Sequence, residues 1–405
     1  MRRSEANTHF PALPPSPVLT QPETPMKKTL LSFMLAAAPA AYAFDGLTYD
    51  GGPIETGAGM QPPHWILVCD NTGTCRAAGY QHNNTEHQTF LPVSLLLTRQ
   101  AGADAKVKAQ VRLLPAAGQE QKIGGITLQL TDWSQKNAKP VDYGPVQTDD
   151  EGIATLSDSQ TAALLAHLRT PEPSIKFIAD DGSDNAPYWT PYSNREHLAI
   201  LAKMDEYQGR SGTLSALLNP GTSDKAVPPP APAPEISAAA VKGDNSGDTI
   251  TPENKKHAAL LKLLQPYGQE KNCAFSSSTP DKRGQNITLY PLNDKQTLAE
   301  TICQYGEEKG FYLFAILSAD LKKVEKIVGG PISTGYNGYG EILGARQLDD
   351  KGCGINDLYL WNGTDFVLAR KNSNGLCGKG FPSGAWNSLP NYTSNIREAD
   401  EKAAH

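Results

Sequence analysis

The sequence predicts an α+β fold in two units, each a mainly antiparallel sheet with a few helices, stapled by disulfides and joined by a Pro-rich linker. Three observations carry this reading. Most apolar segments are short, rich in β-branched and aromatic residues, and separated by Gly, Asn and Asp turn signals. Six cysteines follow an export-type leader. One stretch, AVPPPAPAP at 226–234, breaks the chain near its middle in a way repeated nowhere else.

The leader is Met26 to Ala43, MKKTLLSFMLAAAPAAYA. Lys27 and Lys28 form a positive start, Thr29 to Ala38 is an apolar run too short to span a bilayer, and Ala41-Tyr42-Ala43 fits a signal-peptidase site. Cleavage between Ala43 and Phe44 leaves 362 residues. Residues 1–25 are Pro-rich and polar, and we read them as upstream sequence outside the natural chain; a true N-terminal extension is the alternative. No cysteine stands at the cleavage site, so a lipid anchor is not expected. Residues 1–43 carry Arg2, Arg3, Lys27 and Lys28 against Glu5 and Glu23, so their removal takes the formal charge from −6 to −8. That acidic balance argues against nucleic acid or anionic lipid as partner. No later apolar run approaches the ~18 residues of a membrane span. The expected location is the periplasm, or outside the cell.

The cysteines stand at Cys69, Cys75, Cys273, Cys303, Cys353 and Cys377. None forms a CxxC pair, which excludes thioredoxin and zinc-ribbon spacings. Six cysteines allow about 15 pairings. Nearest-neighbour pairs 69–75, 273–303 and 353–377 are preferred, because each unit then holds an even number.

The first unit is expected at 44–221. His64 to Cys69 and Cys75 to Tyr80 read as strands around the turn Asp70-Asn71-Thr72-Gly73. Leu95 to Arg99, Lys106 to Leu114 and Ile126 to Leu130 read as further strands. In the second of these, Val107, Ala109, Val111 and Leu113 alternate with Lys106, Lys108, Gln110 and Arg112, which predicts a sheet with one wet face. Helices are expected from Ser157 to Leu168, from Asn194 to Gln208 with Gly209 as its stop, and briefly from Ser211 to Leu218. Residues 222–250 are the linker, extended in its Pro-rich part and flexible beyond.

The second unit is expected at 251–396, with 397–405 a tail. Thr251-Pro252-Glu253 opens a helix through Leu264. Asn286 to Leu292, Phe311 to Leu317 and Val324 to Val328 are expected strands, and Leu298 to Tyr305 a short helix. Leu358 to Trp361 and Thr364 to Ala369 flank Asn362-Gly363, a signal for a two-residue type I′ hairpin. Asn337-Gly338 is a second hairpin signal.

The segments HWILVCDNTGTCRAAGY, SLLLTRQAGADAKVKAQVRL, LAILAKMDEYQGRSGTLSALLNPG and KGCGINDLYLWNGTDFVLARKNSNGLCGKG, with Trp386 after them, together resemble one family of exported proteobacterial proteins. It is domain-of-unknown-function family 1176. The likeness runs through nearly all of the chain after the leader and departs around Gly329 to Gly340. It implies export, these cysteine positions and a two-part architecture, and it supplies no activity or catalytic residue.

The residues themselves offer little conventional chemistry. There is no HExxH, GxSxG, Walker loop or strand-linked GxGxxG. No cofactor is expected, and His82 and His87 with Glu86 read as a solvated loop. Asp205 and Glu206 are the candidate catalytic carboxylates. Adjacent helical positions diverge by ~100°, so the two cannot share one bond as an acid–base pair, and a capping and charge-pairing role, with Arg210 pairing Glu206, is preferred. Tyr336, Tyr339, Trp361 and Trp386 are the candidate binding aromatics, weighed against ordinary packing. The expectation is an exported binding or envelope-interaction protein without enzymatic activity, its partner an envelope protein or glycan. The rival readings are an envelope glycan hydrolase using a carboxylate and an inhibitor of a secreted enzyme.

Overall fold

The structure is a computed structural model. It describes residues 44–50, 54–56, 59–61, 63–81, 92–114, 123–132, 134, 136–171, 173–180, 188–189, 195–242, 246–270, 286–304, 311–330, 333–347, 354–377, 381 and 384–398. Over these residues the chain is mostly antiparallel sheet with three helices.

The first half begins with β1 (Leu47–Tyr49), a small hairpin of β2 (Ile54–Thr56) and β3 (Gly59–Gln61), then β4 (Trp65–Cys69), β5 (Cys75–Tyr80), β6 (Val93–Arg99) and β7 (Val107–Leu113). These are followed by β8 (Gly125–Thr131), β9 (Val141–Gln147), β10 (Ile153–Thr155), α1 (Asp158–Leu168), β11 (Ser174–Ala179), β12 (Tyr188–Trp189) and α2 (Glu196–Tyr207). One sheet has the order β1-β4-β5-β6-β7-β10 and a second the order β12-β11-β8-β9. Between them Leu67, Leu95, Leu97 and Val111 pack with Leu128, Phe177, Leu164 and Met204. Each such buried side chain contributes about 1.5–3 kcal/mol. Ser157 caps α1 with a reciprocal bond to Gln160, and Gly209 (φ +67°) follows α2 in the left-handed conformation, as expected of a stop.

The outer face of the first sheet differs from expectation. β7, between β6 and the short edge strand β10, keeps its polar alternation; β4, β5 and β6 are nearly continuous apolar runs, the pattern of strands covered on both sides. Their second face, Ile66, Val68, Ala78, Tyr80 and Leu96, lies under Phe381, Ala385, Trp386 and Leu389. Trp386 Nε1 donates to Ser94 Oγ (3.0 Å), Leu376 N–H to Tyr80 Oη (3.3 Å), and Arg112 to the Ala385 carbonyl. Burial raises the Tyr80 phenol. Ser211 to Leu218 is also not the expected helix but a run of turns organised by Thr213 Oγ1.

The linker carries β13 (Glu235–Ser237) and β14 (Asp248–Ile250). The sequence expects a spacer here; the structure holds it at several points. Pro228 O accepts from Gly102 N–H (2.8 Å), Ala231 N–H donates to Thr72 O (3.1 Å), and Ala239 N–H donates to Trp361 O (2.8 Å). The physical reason is that proline removes its own donor but leaves its carbonyl and its apolar ring to be used by neighbours.

The second half contains α3 (His257–Glu270), β15 (Ile287–Pro291), β16 (Gln296–Gln304), β17 (Phe311–Ser318), β18 (Val324–Val328) and β19 (Ser333–Tyr336). It ends with β20 (Glu341–Gln347), β21 (Gly354–Trp361), β22 (Phe366–Ser373), β23 (Leu389–Tyr392) and β24 (Asn395–Arg397). Two five-stranded sheets, β14-β15-β16-β17-β18 and β19-β20-β21-β22-β23, face each other. Leu260 and Leu264 of α3 cover the outer face of the first of these. Leu298, Phe314, Ile316 and Val328 meet Ile342, Trp361 and Phe366 between the sheets. On the far side of the second sheet, Ile236 and Ile396 lie over Leu360 and Ala369, where β13 pairs in parallel with β24.

Where a helix is expected from Leu298 to Tyr305, the described residues 296–304 are strand β16, paired on both sides, with Leu298 and Glu300 on one face and Ala299 and Thr301 on the other. A short apolar window fits either period, and the partners decide. The hairpin at Asn362-Gly363 closes on Trp361↔Phe366, so its loop has four residues, with Asn362 Oδ1 accepting from Thr364 N–H (3.0 Å) and Asp365 N–H (2.9 Å). Of the pair only Gly363 has positive φ, which excludes type I′. Its strand β21 is nonetheless the middle strand of its sheet.

The Cys69–Cys75 disulfide forms as expected, across a directly opposed pair of β4 and β5. Cys377 is also disulfide-bonded. Cys273 and Cys353 lie outside the described residues, as does the side chain of Cys303, and so do His82, Glu86, His87, Ala43 and the leader. The disulfide loop is a junction. Asp70 Oδ1 accepts from Thr72 N–H (2.9 Å) and Thr74 N–H (3.2 Å), Oδ2 from Arg76 (2.9 Å), and Asn71 exchanges two bonds with the Thr393 backbone (3.1 and 2.8 Å).

Candidate functional site

Asp205 sits on the inner face of α2, 3% exposed. Its Oδ1 accepts from Arg99 Nη2 (2.6 Å), and its Oδ2 from the backbone of Leu217 (2.7 Å) and Leu218 (3.1 Å). Arg99 also donates through Nε to Gln208 Oε1 (2.7 Å), and Gln208 Nε2 donates to the carbonyls of Gly73 (2.8 Å) and Arg99 (2.9 Å). Desolvation lowers the Arg99 guanidinium, opposed by its bond to Asp205. This network ties α2 and the turns after it to the disulfide loop. Glu206 points away and pairs with Lys203 (2.9 Å), not with Arg210 as expected. Arg210 is buried and donates to the carbonyls of Gln100, Gly102 and Ala103. Glu196, not singled out in the sequence, does similar work at the other end of α2: its Oε2 accepts from His64 N–H (2.7 Å) and Trp65 N–H (3.1 Å).

The four aromatics do not form one surface. Trp361 is 1% exposed between the facing sheets, and Trp386 lies on the first-half sheet. Tyr339 is 66% exposed at the tip of the loop joining β19 to β20. Tyr336, which closes the base of that loop, is half-buried. Four polar contacts fix the tip: Asn337 Oδ1 accepts from Tyr339 N–H (2.8 Å) and Glu341 N–H (3.1 Å), Asn337 Nδ2 donates to Glu341 Oε2 (2.6 Å), and Gly340 N–H donates to Tyr336 Oη (3.0 Å). Gly338 (φ +83°) and Gly340 (φ +92°) permit the reversal.

Sequence reading missed the group beside Tyr336. Glu300 of β16 stands between Thr288 and Phe314 in register, with Tyr290 and Tyr312 diagonal to it on the same face. Diagonal neighbours in a sheet are ~7–8 Å apart, within reach of tyrosine. Tyr336 comes from the facing sheet and meets Tyr290 edge to face (4.8 Å between ring centres, 65° between planes), and its backbone amide acts on the Glu300 carboxyl. Burial pushes the Glu300 carboxyl up to about 7, the backbone amide of Tyr336 acting against it. Burial, with the Glu300 charge next, raises Tyr290 and Tyr312. Burial raises Tyr336 to about 12. The signal available in the sequence was an acid at the centre of a strand whose same-face neighbours are aromatic; assigning 298–305 to a helix hid it.

An open groove of about 470 Å³ lies between β13 and β22, lined by Glu235, Ile236, Ser237, Asn362, Val367, Leu368 and Tyr392. Among the described residues no group of three or more His, Cys, Asp or Glu is arranged to hold a metal ion, and no helix is long and apolar enough to cross a membrane.

The chain is thus a mostly antiparallel β-protein whose polar clusters fasten its elements and whose exposed tyrosine loop stands on a sheet-on-sheet core. Residues 61–391 match the model of a family described as a protein of unknown function (DUF1176), and the chain belongs to that family. No curated protein and no solved structure matches.

Proposed function

We propose that this chain is an exported, periplasmic binding protein without enzymatic activity, built of units 44–221 and 251–396, that recognises an envelope protein or glycan through the tyrosine edge of its second unit. The observation that carries the reading is Tyr339, an aromatic side chain two-thirds exposed on a loop already fixed by Asn337, Glu341 and Tyr336. A large amphipathic ring held in place before contact loses little freedom on binding. The hydrolase alternative has weaker support, because both Asp205 oxygens are committed to Arg99, Leu217 and Leu218 inside the fold.

The test places a photo-crosslinking residue at 339 in the exported chain, with position 214, where Leu214 is 81% exposed, as control. Discrete adducts at 339 and not at 214 support the reading; none at 339, or the same set at both, refutes it. Export itself is tested by N-terminal sequencing of the product, which should start at Phe44.

A further inference from the structure

We propose that Glu300, framed by Tyr290, Tyr312 and Tyr336, is a binding site for a small organic cation with an alkylammonium head. This rests on the reading of the second unit as a binding module and names its ligand class.

Among the described residues Glu300 makes no ion pair, and the polar group that opposes its desolvation is the backbone amide of Tyr336. Lys242, the basic residue of the neighbouring strap, pairs with Asp294 instead. Beside Glu300 on β15 are Thr288 and Tyr290, on β17 Tyr312 and Phe314, and from β19 Tyr336. No cation stands on any of these. Both hydroxyls, of Tyr290 and Tyr312, feel the acid without a hydrogen bond to it. A carboxylate left half-buried and unpaired is costly, and the cost is relieved by a bound positive charge.

The aromatic setting selects which cation. Tyr290 and Tyr336 form two walls at 65°, and Tyr312 stands on the other side of Glu300 along the sheet. Ring faces attract diffuse, weakly hydrated cations such as quaternary ammonium groups. A hard divalent metal needs six or more oxygen ligands, or near-octahedral geometry, and one carboxylate among phenol rings does not provide it. All four side chains are partly exposed. The approach of a cation ionises the acid, so binding releases a proton wherever the carboxyl is still protonated.

Calorimetric titration of the exported chain with choline, at pH 6 and pH 8, tests this. Saturable binding is expected, rising about tenfold over that range, because a carboxyl titrating near 7 goes from about one-tenth to about nine-tenths ionised. The uncharged isostere 3,3-dimethylbutanol should bind at least tenfold more weakly. Glu300→Gln should lose at least tenfold affinity and the pH dependence while still melting cooperatively, and Tyr312→Leu should weaken choline without removing the pH dependence. Equal binding of the isostere, an unaltered Glu300→Gln variant, or no saturation overturns the proposal. Attachment to phosphatidylcholine vesicles without binding of free choline overturns the free-ligand form of it. A chain that crosslinks specifically at 339 yet ignores choline defeats this inference alone, since the crosslink does not involve Glu300.

Discussion

Replacing Glu300 by glutamine is expected to stabilise the protein above neutral pH and to do little in acid. The folded carboxyl is pushed up to about 7 from its ordinary 4.5, chiefly by desolvation. Between those values the folded state holds the proton that the unfolded chain has already lost. Stability therefore falls as pH rises through this window, the reverse of the usual salt-bridged carboxylate. At about 1.36 kcal/mol per unit, the loss between pH 5 and pH 8 is at most about 2.5 kcal/mol. Glutamine keeps an oxygen toward the Tyr336 amide and carries no charge. Urea unfolding of both proteins at pH 5 and pH 8 gives the difference directly, and other titrating groups, such as Asp357, whose carboxyl burial also raises, cancel in it. Parallel pH profiles for the two proteins would show that Glu300 is solvated and ordinary.

Other outcomes follow from the same geometry. Asp205→Ala leaves Arg99 charged and buried without its partner and should cost about 3–5 kcal/mol in urea unfolding, with Glu206→Ala near zero. Trp386→Ala should lose about 3–5 kcal/mol and expose the Tyr80 face of the first sheet, seen as faster exchange of the Leu376 amide. Opening the Cys69–Cys75 loop with paired serine substitutions should destabilise by up to about 2.4 kcal/mol on the chain-entropy estimate, and should speed proteolysis near 231 because Thr72 O holds Ala231. Tyr339→Ser, at an exposed loop tip, should leave the urea midpoint within experimental error while weakening any partner captured through 339.

Much was decided locally and so was legible in the chain. The sheet-rich character, the Cys69–Cys75 staple, the cap at Ser157 and the stop at Gly209 each depend on a few adjacent residues, whose φ preferences and short-range bonds need nothing from afar. The family could likewise be named from strings of residues. What needed the fold is whatever depends on partners distant in sequence. Whether 298–305 is helix or strand was settled by β15 and β17 on either side. The dry outer face of the first sheet exists because residues 381–389 return to cover it, nearly three hundred positions after the strands they touch. Glu300 and Tyr336 belong to different sheets and acquire a shared chemistry only when those sheets close, since burial and neighbouring charge are properties of the packed space and not of the residue.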